Sequence, residues 1–188
     1  MKRTVASVVV VCALFATNAA RADDDVAVGE TSAEPAPAAS RPARPTYAGI
    51  VSGGASYRSL FGLPVEAADI GLGFGVDSGG LGLYVRGGFE AGRLDHGLTT
   101  RVYRVGGSRE GIVGRLRLGG GVDVLDYGVT RVTDGTTINE IGVGFFVLGS
   151  VDVVRFDDHA LYLGARGDAD WVGGTGVLGA SLALGFRF

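Results

Sequence analysis

Strict alternation between apolar residues and glycine or charged residues runs through most of the chain from residue 47 to residue 188. In the final segment the apolar positions are Leu178, Ala180, Leu182, Leu184, Phe186 and Phe188. A period of two predicts a β-strand, because successive side chains of a strand point to opposite faces of the sheet. No run of 18 apolar residues interrupts the pattern, so residues 47–188 contain no candidate membrane helix.

The alternation recurs and predicts eight strands. They cover residues 48–59, 66–77, 80–93, 98–107, 112–126, 140–155, 160–170 and 175–188. The intervening turns 77–80, 107–111 and 156–159 are short, whereas the loop 127–139 is the longest connection. Short turns at one end and longer loops at the other are typical of bacterial outer-membrane barrels. We therefore predict an all-β, antiparallel, up-and-down barrel of eight strands that crosses a membrane.

The composition of the second strand face indicates which face points outward. A soluble barrel is apolar inside and polar outside, and a membrane barrel is the reverse. Glycine accounts for 34 of the 188 residues, and it dominates the second face, which suits a narrow lumen better than a water-facing surface. The predicted lumen charge network consists of Asp69, Arg86, Glu90, Arg115, Arg117, Asp123, Asp152, Arg166 and Asp168. These charges nearly balance, as a low-dielectric interior requires, although some of them would be merely solvated if they lay at the rims.

Residues 1–22 have the organisation of a secretory signal peptide. Lys2 and Arg3 precede an apolar stretch over residues 5–16, and Ala20-Arg21-Ala22 provides a cleavage site. The apolar stretch is too short for a membrane helix, which needs about 20 residues. Residues 23–46 contain four of the five prolines, and this composition predicts a disordered periplasmic linker. The alternative is a periplasmic tether that contacts an unknown partner or the cell wall.

These features together resemble a known family. A signal peptide, eight alternating strands and a last strand ending in Phe188 are similar to the small outer-membrane β-barrel proteins of Gram-negative bacteria, the OmpA- and OmpX-like barrels. In that family a C-terminal aromatic on an alternating strand is the assembly signal, and Phe186 and Phe188 match it. The resemblance implies a bacterial outer-membrane location reached through the periplasm. It also implies two partners, namely outer-membrane lipid with lipopolysaccharide, and the barrel assembly machinery.

Size limits the function. Eight strands enclose a space just wide enough for side chains, and sixteen strands of about ten residues would exceed the length of residues 47–188. We therefore favour a non-enzymatic barrel with a structural or surface-interaction role and a lumen closed by charge pairs. The alternative is a narrow channel or small-ligand transporter. A net charge of −3 provides no basic footprint for nucleic acid, and no cofactor is expected.

An enzyme is a second alternative, because some small outer-membrane barrels modify lipid A with histidine and serine at the outer rim. His96 lies in the second predicted outer loop, and Ser56 and Ser59 are the nearest candidate nucleophiles, two strands away. Catalysis requires hydrogen-bond contact between such groups, so a solvated loop histidine is favoured. His159 follows Asp157 and Asp158, but one short turn supplies too few ligands for a metal site.

Four arginines are predicted at the outer end of the barrel. They are Arg58, Arg93 and Arg101 at strand ends and Arg131 in the longest loop. A guanidinium binds phosphate with two parallel hydrogen bonds. These arginines are therefore candidate contacts for lipopolysaccharide phosphates, the alternative being that they are solvated loop residues.

Overall fold

A computed structural model describes residues 45–60, 62–94 and 97–188. The predicted signal peptide, and the predicted linker up to residue 44, lie outside the described residues, as do Asp95 and His96. Within the described part of the chain, no helix is long and apolar enough to cross a membrane.

The described residues form one closed barrel of eight antiparallel strands connected in sequence order. The strands are β1 (Thr46–Leu60), β2 (Leu63–Ser78), β3 (Leu81–Leu94), β4 (Leu98–Val113), β5 (Leu116–Arg131), β6 (Thr137–Phe156), β7 (His159–Val172) and β8 (Thr175–Arg187). The predicted all-β, up-and-down architecture is confirmed.

Pairing between β1 and β8 closes the barrel. The register runs from Ile50 opposite Arg187 to Ser59 opposite Leu178. Beyond the last strand residue, the Phe188 N–H donates to the Gly49 carbonyl at 3.0 Å, and the Gly49 N–H donates to the Phe188 carbonyl at 2.6 Å. The aromatic residue at position 188 is therefore part of the seam, and the sheet has no unpaired edge strand.

The exterior of the barrel is apolar. Ile70, Phe74, Phe145 and Leu182 point outward and are 58–66% exposed. The alternate positions of the same strands face the interior and include most of the charged residues that are buried. This arrangement inverts that of a soluble barrel and leaves a surface suited to contact with lipid hydrocarbon.

The connections are shorter than the sequence predicts. β4 continues through the predicted turn 107–111 to Val113, and the turn is formed by residues 114–115, where Gly114 has a φ of 61°. The predicted long loop 127–139 shrinks to residues 132–136, because β5 and β6 both continue past the predicted ends. We call the end with connections 61–62, 95–97, 132–136 and 173–174 the loop end, and the opposite end the termini end. Loop length alone therefore distinguishes the two ends only weakly.

Candidate functional site in the barrel interior

Arg58 of β1 lies at the centre of the interior and is 1% exposed. Its Nε donates to Glu90 Oε1 at 2.6 Å, and its Nη1 donates to Asp170 Oδ2 at 2.5 Å. A third carboxylate, that of Asp168, lies 3.6 Å from Nη2. These acids belong to β3 and β7, so one guanidinium links strands that are not neighbours of β1 in the sheet.

The prediction that Arg58 contacts lipid at the rim is therefore wrong. Ser56 and Arg58 share the inward face of β1 and are both buried. Glycines on both faces of this strand, at Gly53 and Gly54, obscure its alternation. A place near a strand end is typical of rim residues, so the sequence does not reveal that Arg58 is buried.

Two further arginines extend the arrangement across the lumen. Arg104 of β4 donates to Glu90 Oε2 at 2.6 Å and to Asp168 Oδ1 at 3.0 Å. Arg166 of β7 donates from Nε to Asp168 Oδ1 at 2.7 Å and from Nη2 to Asp123. We call this set the central network; its members are Arg58, Glu90, Arg104, Asp123, Arg166, Asp168 and Asp170. The structure thus brings together four of the predicted lumen residues with three that the prediction did not include in the lumen.

A second cluster lies nearer the termini end. Arg117 forms a bidentate ion pair with Asp77, in which Nη2 donates to Oδ2 at 2.7 Å and Nη1 donates to Oδ1 at 3.0 Å. The Tyr84 hydroxyl donates to Asp77 Oδ1 at 2.6 Å and accepts from Arg117 Nη1 at 2.9 Å. The two planar groups match in geometry, and this is the arrangement that makes arginine–carboxylate pairs strong and specific.

Arg86 of β3 joins β4 from within the lumen. Its Nη2 donates to Glu110 Oε1, and its Nε donates to Ser108 Oγ at 2.9 Å. Both acceptors are buried. The predicted lumen position of Arg86 agrees with this geometry, whereas its partners lay in a segment predicted to be a turn.

Asp152 of β6 is held by two arginines at the termini end. Arg187 Nη1 donates to Oδ1 at 2.7 Å, and Arg155 Nε donates to Oδ2 at 2.9 Å. The Arg187 guanidinium also lies 5.0 Å from the centre of the Tyr162 ring. An irregularity in the β6–β7 register between Asp152 and Val154 accompanies this contact.

Arg115 does not belong to the interior. It lies exposed in the β4–β5 turn, so the prediction that Arg115 and Arg117 both point inward is wrong. The reason is the predicted turn at 107–111, which makes Arg115 a strand residue with the parity of Arg117, whereas the turn lies at residues 114–115. Asp69 does point inward and lines the cavity described below, but it makes no ion pair in the described part of the chain.

Sequence reasoning missed several interior charges. They are Asp77, Arg104, Glu110, Asp170 and Arg187. Asp170 is two residues after Asp168, and Arg187 is two residues after Gly185. The alternation therefore places both side chains on the inward face. Glu110 lay in the segment assigned to a turn, and Asp77 lay at the edge of one.

An apolar cluster fills the lumen at the loop end. Its buried members are Leu60, Val65, Leu94, Val102, Leu125, Tyr127, Val172 and Val177, with Leu98 and Val129 packed against them. Every strand except β6 contributes a residue to this cluster. The sequence predicts closure by charge pairs, whereas the structure adds this apolar layer on the loop side of the central network.

A cavity of about 90 Å³ remains beside the central network. Its lining combines apolar side chains such as Ile50 and Leu148 with charged ones, among them Asp69, Arg86 and Arg166. A single water molecule needs about 10–15 Å³ of space accessible to its centre, and the cavity volume is of the same kind. The cavity therefore has room for several water molecules next to the charged groups.

Inward glycines make room for the large charged side chains. A Cβ on Gly179 would lie 3.1 Å from Arg58 Nη1 and 3.3 Å from its Cγ, and a Cβ on Gly88 would lie 3.1 Å from Arg104 Cγ. Each of these glycines is the direct cross-strand partner of the arginine, on the neighbouring strand of the barrel wall. The high glycine content on the inward face is thus a consequence of fitting guanidinium groups into an eight-stranded barrel.

The three remaining predicted rim arginines are exposed near the loop end. Arg93 and Arg101 point outward from β3 and β4, and Arg101 Nη2 donates to Asn139 Oδ1 at 3.3 Å. Arg131 ends β5 and contacts Asp134 at 3.2 Å. The pKa of the exposed Asp134 carboxyl lies below its usual range, chiefly because the Thr136 backbone N–H donates to it.

The two predicted assembly residues lie on the exterior at the termini end. Phe186 is 38% exposed and Phe188 is 48% exposed. Their ring centres are 6.2 Å apart, and the His159 ring lies edge-on to Phe186 at 5.7 Å. His159 therefore belongs to an aromatic patch, and no group of metal-binding side chains occurs among the described residues.

The serines proposed as nucleophiles do not form a site with the described residues. Ser56 is buried in the lumen, and Ser59 is half-buried on β1. His96 lies outside the described residues, so the geometry of this candidate enzyme site has no structural counterpart here.

A closed barrel of eight antiparallel strands, apolar outside and charged inside, has the fold of the small outer-membrane β-barrels. Among solved structures, Neisserial surface protein A (NspA) is similar, with a TM-score of 0.58 and 16% sequence identity over 77% of this chain and 97% of that chain. At this identity the likeness is one of fold, and at that level the predicted resemblance is confirmed.

Two autotransporter domains align more weakly. The β-domain of the Bordetella autotransporter BrkA has a TM-score of 0.31 and 18% identity over 76% of this chain and 69% of that chain. The translocator domain of NalP from Neisseria meningitidis has a TM-score of 0.33 and 7% identity over 76% of this chain and 88% of that chain. Neither supports an argument about this chain. No protein-family model and no curated protein matches it.

Proposed function

We propose that this chain is a non-enzymatic outer-membrane β-barrel that is closed to solutes and has a structural or surface-interaction role. The observation that carries the proposal is the filled lumen. The apolar cluster occupies the loop end, and the central network spans the middle of the barrel.

The apolar cluster is the stronger of the two barriers. An ion that crosses it would lose its hydration shell without gaining polar partners, and hydrophobic constrictions block conduction in this way. The central network adds a second barrier to solutes larger than a small ion, because its paired arginines and acids would have to separate to let them through.

A narrow channel remains the second candidate, and the cavity favours it. Below the apolar cluster the lumen is charged and has room for water. Conduction through it would require only that the apolar cluster move aside. This candidate and the closed barrel therefore differ in one property, namely the state of the loop end.

Single-channel recording in planar bilayers distinguishes the two candidates. We expect the native barrel to give no current steps, and a barrel carrying Leu125→Gly with Val102→Gly to conduct because its apolar cluster is breached. A matched control is Leu182→Gly, which changes an exposed exterior leucine. Regular current steps from the native barrel would overturn the closed-lumen proposal.

The outer-membrane location is tested by fractionation and by gel mobility. A folded barrel migrates differently before and after heating, and a density gradient separates outer from inner membranes. Recovery of the chain only in soluble fractions would contradict the location. Mass spectrometry of lipid A from cells with and without the protein tests the enzyme alternative, in which His96→Ala should abolish any change observed.

We also propose that Arg93, Arg101 and Arg131 contact lipopolysaccharide phosphates. This proposal is supported by the exposure of the three arginines near one end of the apolar exterior, where a charge that faces lipid costs little. Replacing all three with glutamine should reduce the lipopolysaccharide that copurifies with the folded barrel. Unchanged lipid content would leave these arginines with no lipid role.

A further inference from the structure

Arg109 is an exposed arginine on the outward face of β4 that no role described so far uses. It lies four residues before the end of the strand at Val113. With about 3.3 Å per residue and a strand tilt of about 40°, it lies roughly 10 Å from the termini end. This depth is inside the apolar band of the exterior, which in such barrels is about 25 Å tall.

The surroundings of Arg109 contain no counter-charge. Its cross-strand partners are Leu83 on β3 and Gly120 on β5. In the part of the chain that the structure describes, its side chain forms no ion pair or hydrogen bond. An ionisable side chain at membrane depth is costly unless it reaches a partner, and for that reason it points to a function.

The surface around Arg109 is bare. Gly107 and Gly111 flank it on the same outward face of β4, and Gly120 lies opposite. A Cβ on Gly107 would have its nearest neighbour at 3.7 Å, and one on Gly111 at 3.8 Å. These are ordinary contacts, unlike those at the inward glycines, so the packing of the barrel does not require glycine at these two positions.

A second free arginine lies below this surface. Arg115 is exposed in the turn at the termini end of the same β4–β5 hairpin, and its side chain likewise has no ion pair among the described residues. A long arginine side chain within the apolar band can extend toward the membrane surface. The level of the lipid headgroups therefore lies between Arg109, on the side of the barrel middle, and Arg115, at the termini end.

We propose that Arg109, Arg115 and the bare surface at Gly107 and Gly111 form a binding site for an anionic phospholipid of the leaflet at the termini end. The two guanidinium groups bind the headgroup phosphate, and an acyl chain lies against the glycines. A guanidinium fork suits a phosphate, and two cations without an acidic partner favour a headgroup with net negative charge over a zwitterionic one.

The inference rests on the proposed placement of the barrel in a bilayer, and the test separates the two. The purified barrel is folded into vesicles of phosphatidylcholine mixed with phosphatidylglycerol, and the heat-modifiable gel shift first shows whether it inserts. Native mass spectrometry then counts each phospholipid retained on the barrel. A chain that does not insert fails the placement, whereas a chain that inserts without lipid preference fails only the site.

We expect the native barrel to retain phosphatidylglycerol over phosphatidylcholine. Arg109→Gln should lower this preference about fivefold, the factor that one basic side chain contributes near an anionic surface. Gly111→Leu should lower it without removing a charge, because the leucine covers the bare surface. The matched control is Leu163→Gln, which places the same glutamine on the exterior of β7 without removing a charge and should leave this preference unchanged.

Three results would overturn the site. The first is a native barrel with no preference between the two lipids, and the second is an equal loss of preference in Arg109→Gln and Leu163→Gln. The third is a dimer in the mass spectrum that dissociates in Arg109→Gln, because the partner of the arginine would then be a protein carboxylate. Arg109→Lys, which keeps the charge, should retain part of the preference and exclude general misfolding as the cause.

Discussion

Replacing Arg58 with methionine tests whether the central network stabilises the barrel. The substitution keeps an unbranched apolar side chain in the lumen and removes the guanidinium. Glu90 would still be paired with Arg104, and Asp168 would still be paired with Arg104 and Arg166. Asp170 would lose its only ion pair in the described part of the chain. The main cost of the substitution is therefore one buried carboxylate without a cation.

Breaking a buried ion pair by removing one partner costs about 3–5 kcal/mol, and we expect Arg58→Met to lower the free energy of unfolding by this amount. Adding Asp170→Leu removes the unpaired charge and should restore at least half of the loss. Arg104→Met is the matched control. Both of its carboxylates keep another arginine, so it should cost only the lost charged hydrogen bonds, about 1.5–3 kcal/mol.

The measurement is denaturant unfolding of the barrel in lipid vesicles, followed by the fluorescence of Trp171. It is the only tryptophan in the chain and is 60% exposed on the exterior, so its emission changes when the strand leaves the lipid. Equal losses in Arg58→Met and Arg104→Met would refute the reasoning. So would a double variant no more stable than Arg58→Met.

Three further predictions concern the lumen and the seam. Arg117→Ala should lower the free energy of unfolding by about 1.5–3 kcal/mol, because Asp77 is 20% exposed and water partly replaces the lost contact. Adding Asp77→Asn should recover part of this loss, and an unchanged unfolding midpoint in Arg117→Ala would mean that the lumen is wet there. Gly179→Leu should prevent the heat-modifiable folded form, whereas Ala180→Leu, on the outward face, should fold; normal folding of both would contradict the space argument. Deleting Phe188 should leave the chain in the periplasm, because it removes an assembly residue and two seam hydrogen bonds; normal amounts in the outer membrane would contradict this.

The alternation predicted the number of strands, their order and the inward face of most of them. It did so because a membrane barrel separates apolar and polar residues by parity along each strand. Arg86, Glu90 and Asp123 were placed in the lumen from parity alone, and the structure agrees. The same rule would have added Asp170 and Arg187 had it been continued to the strand ends.

Strand ends and pairings could not be derived in this way. Glycine marks turns in most sequences, but in this barrel it also lies opposite large side chains within strands, as Gly106 of β4 does opposite Arg86 and Asp123. The predicted turn at 107–111 followed from that ambiguity, and it also misplaced Arg115. Which acid meets which arginine depends on the stagger between distant strands, as for Arg58 and Asp170, and a single sequence does not specify that stagger.

The central network has a consequence for the order of folding. Arg58, Glu90, Arg104 and Asp168 come from β1, β3, β4 and β7, so their contacts join segments up to 110 residues apart in sequence. The β3–β4 hairpin alone can pair Glu90 with Arg104, whereas Arg58 meets Asp168 and Asp170 only when β1 and β7 are both in place; in hydrocarbon the unpaired groups would be costly. The contacts of Arg58 with β7 therefore reward the complete cylinder, which disfavours partly inserted intermediates in the bilayer. Closure between β1 and β8 is then the step at which Arg58 and Asp170 neutralise each other.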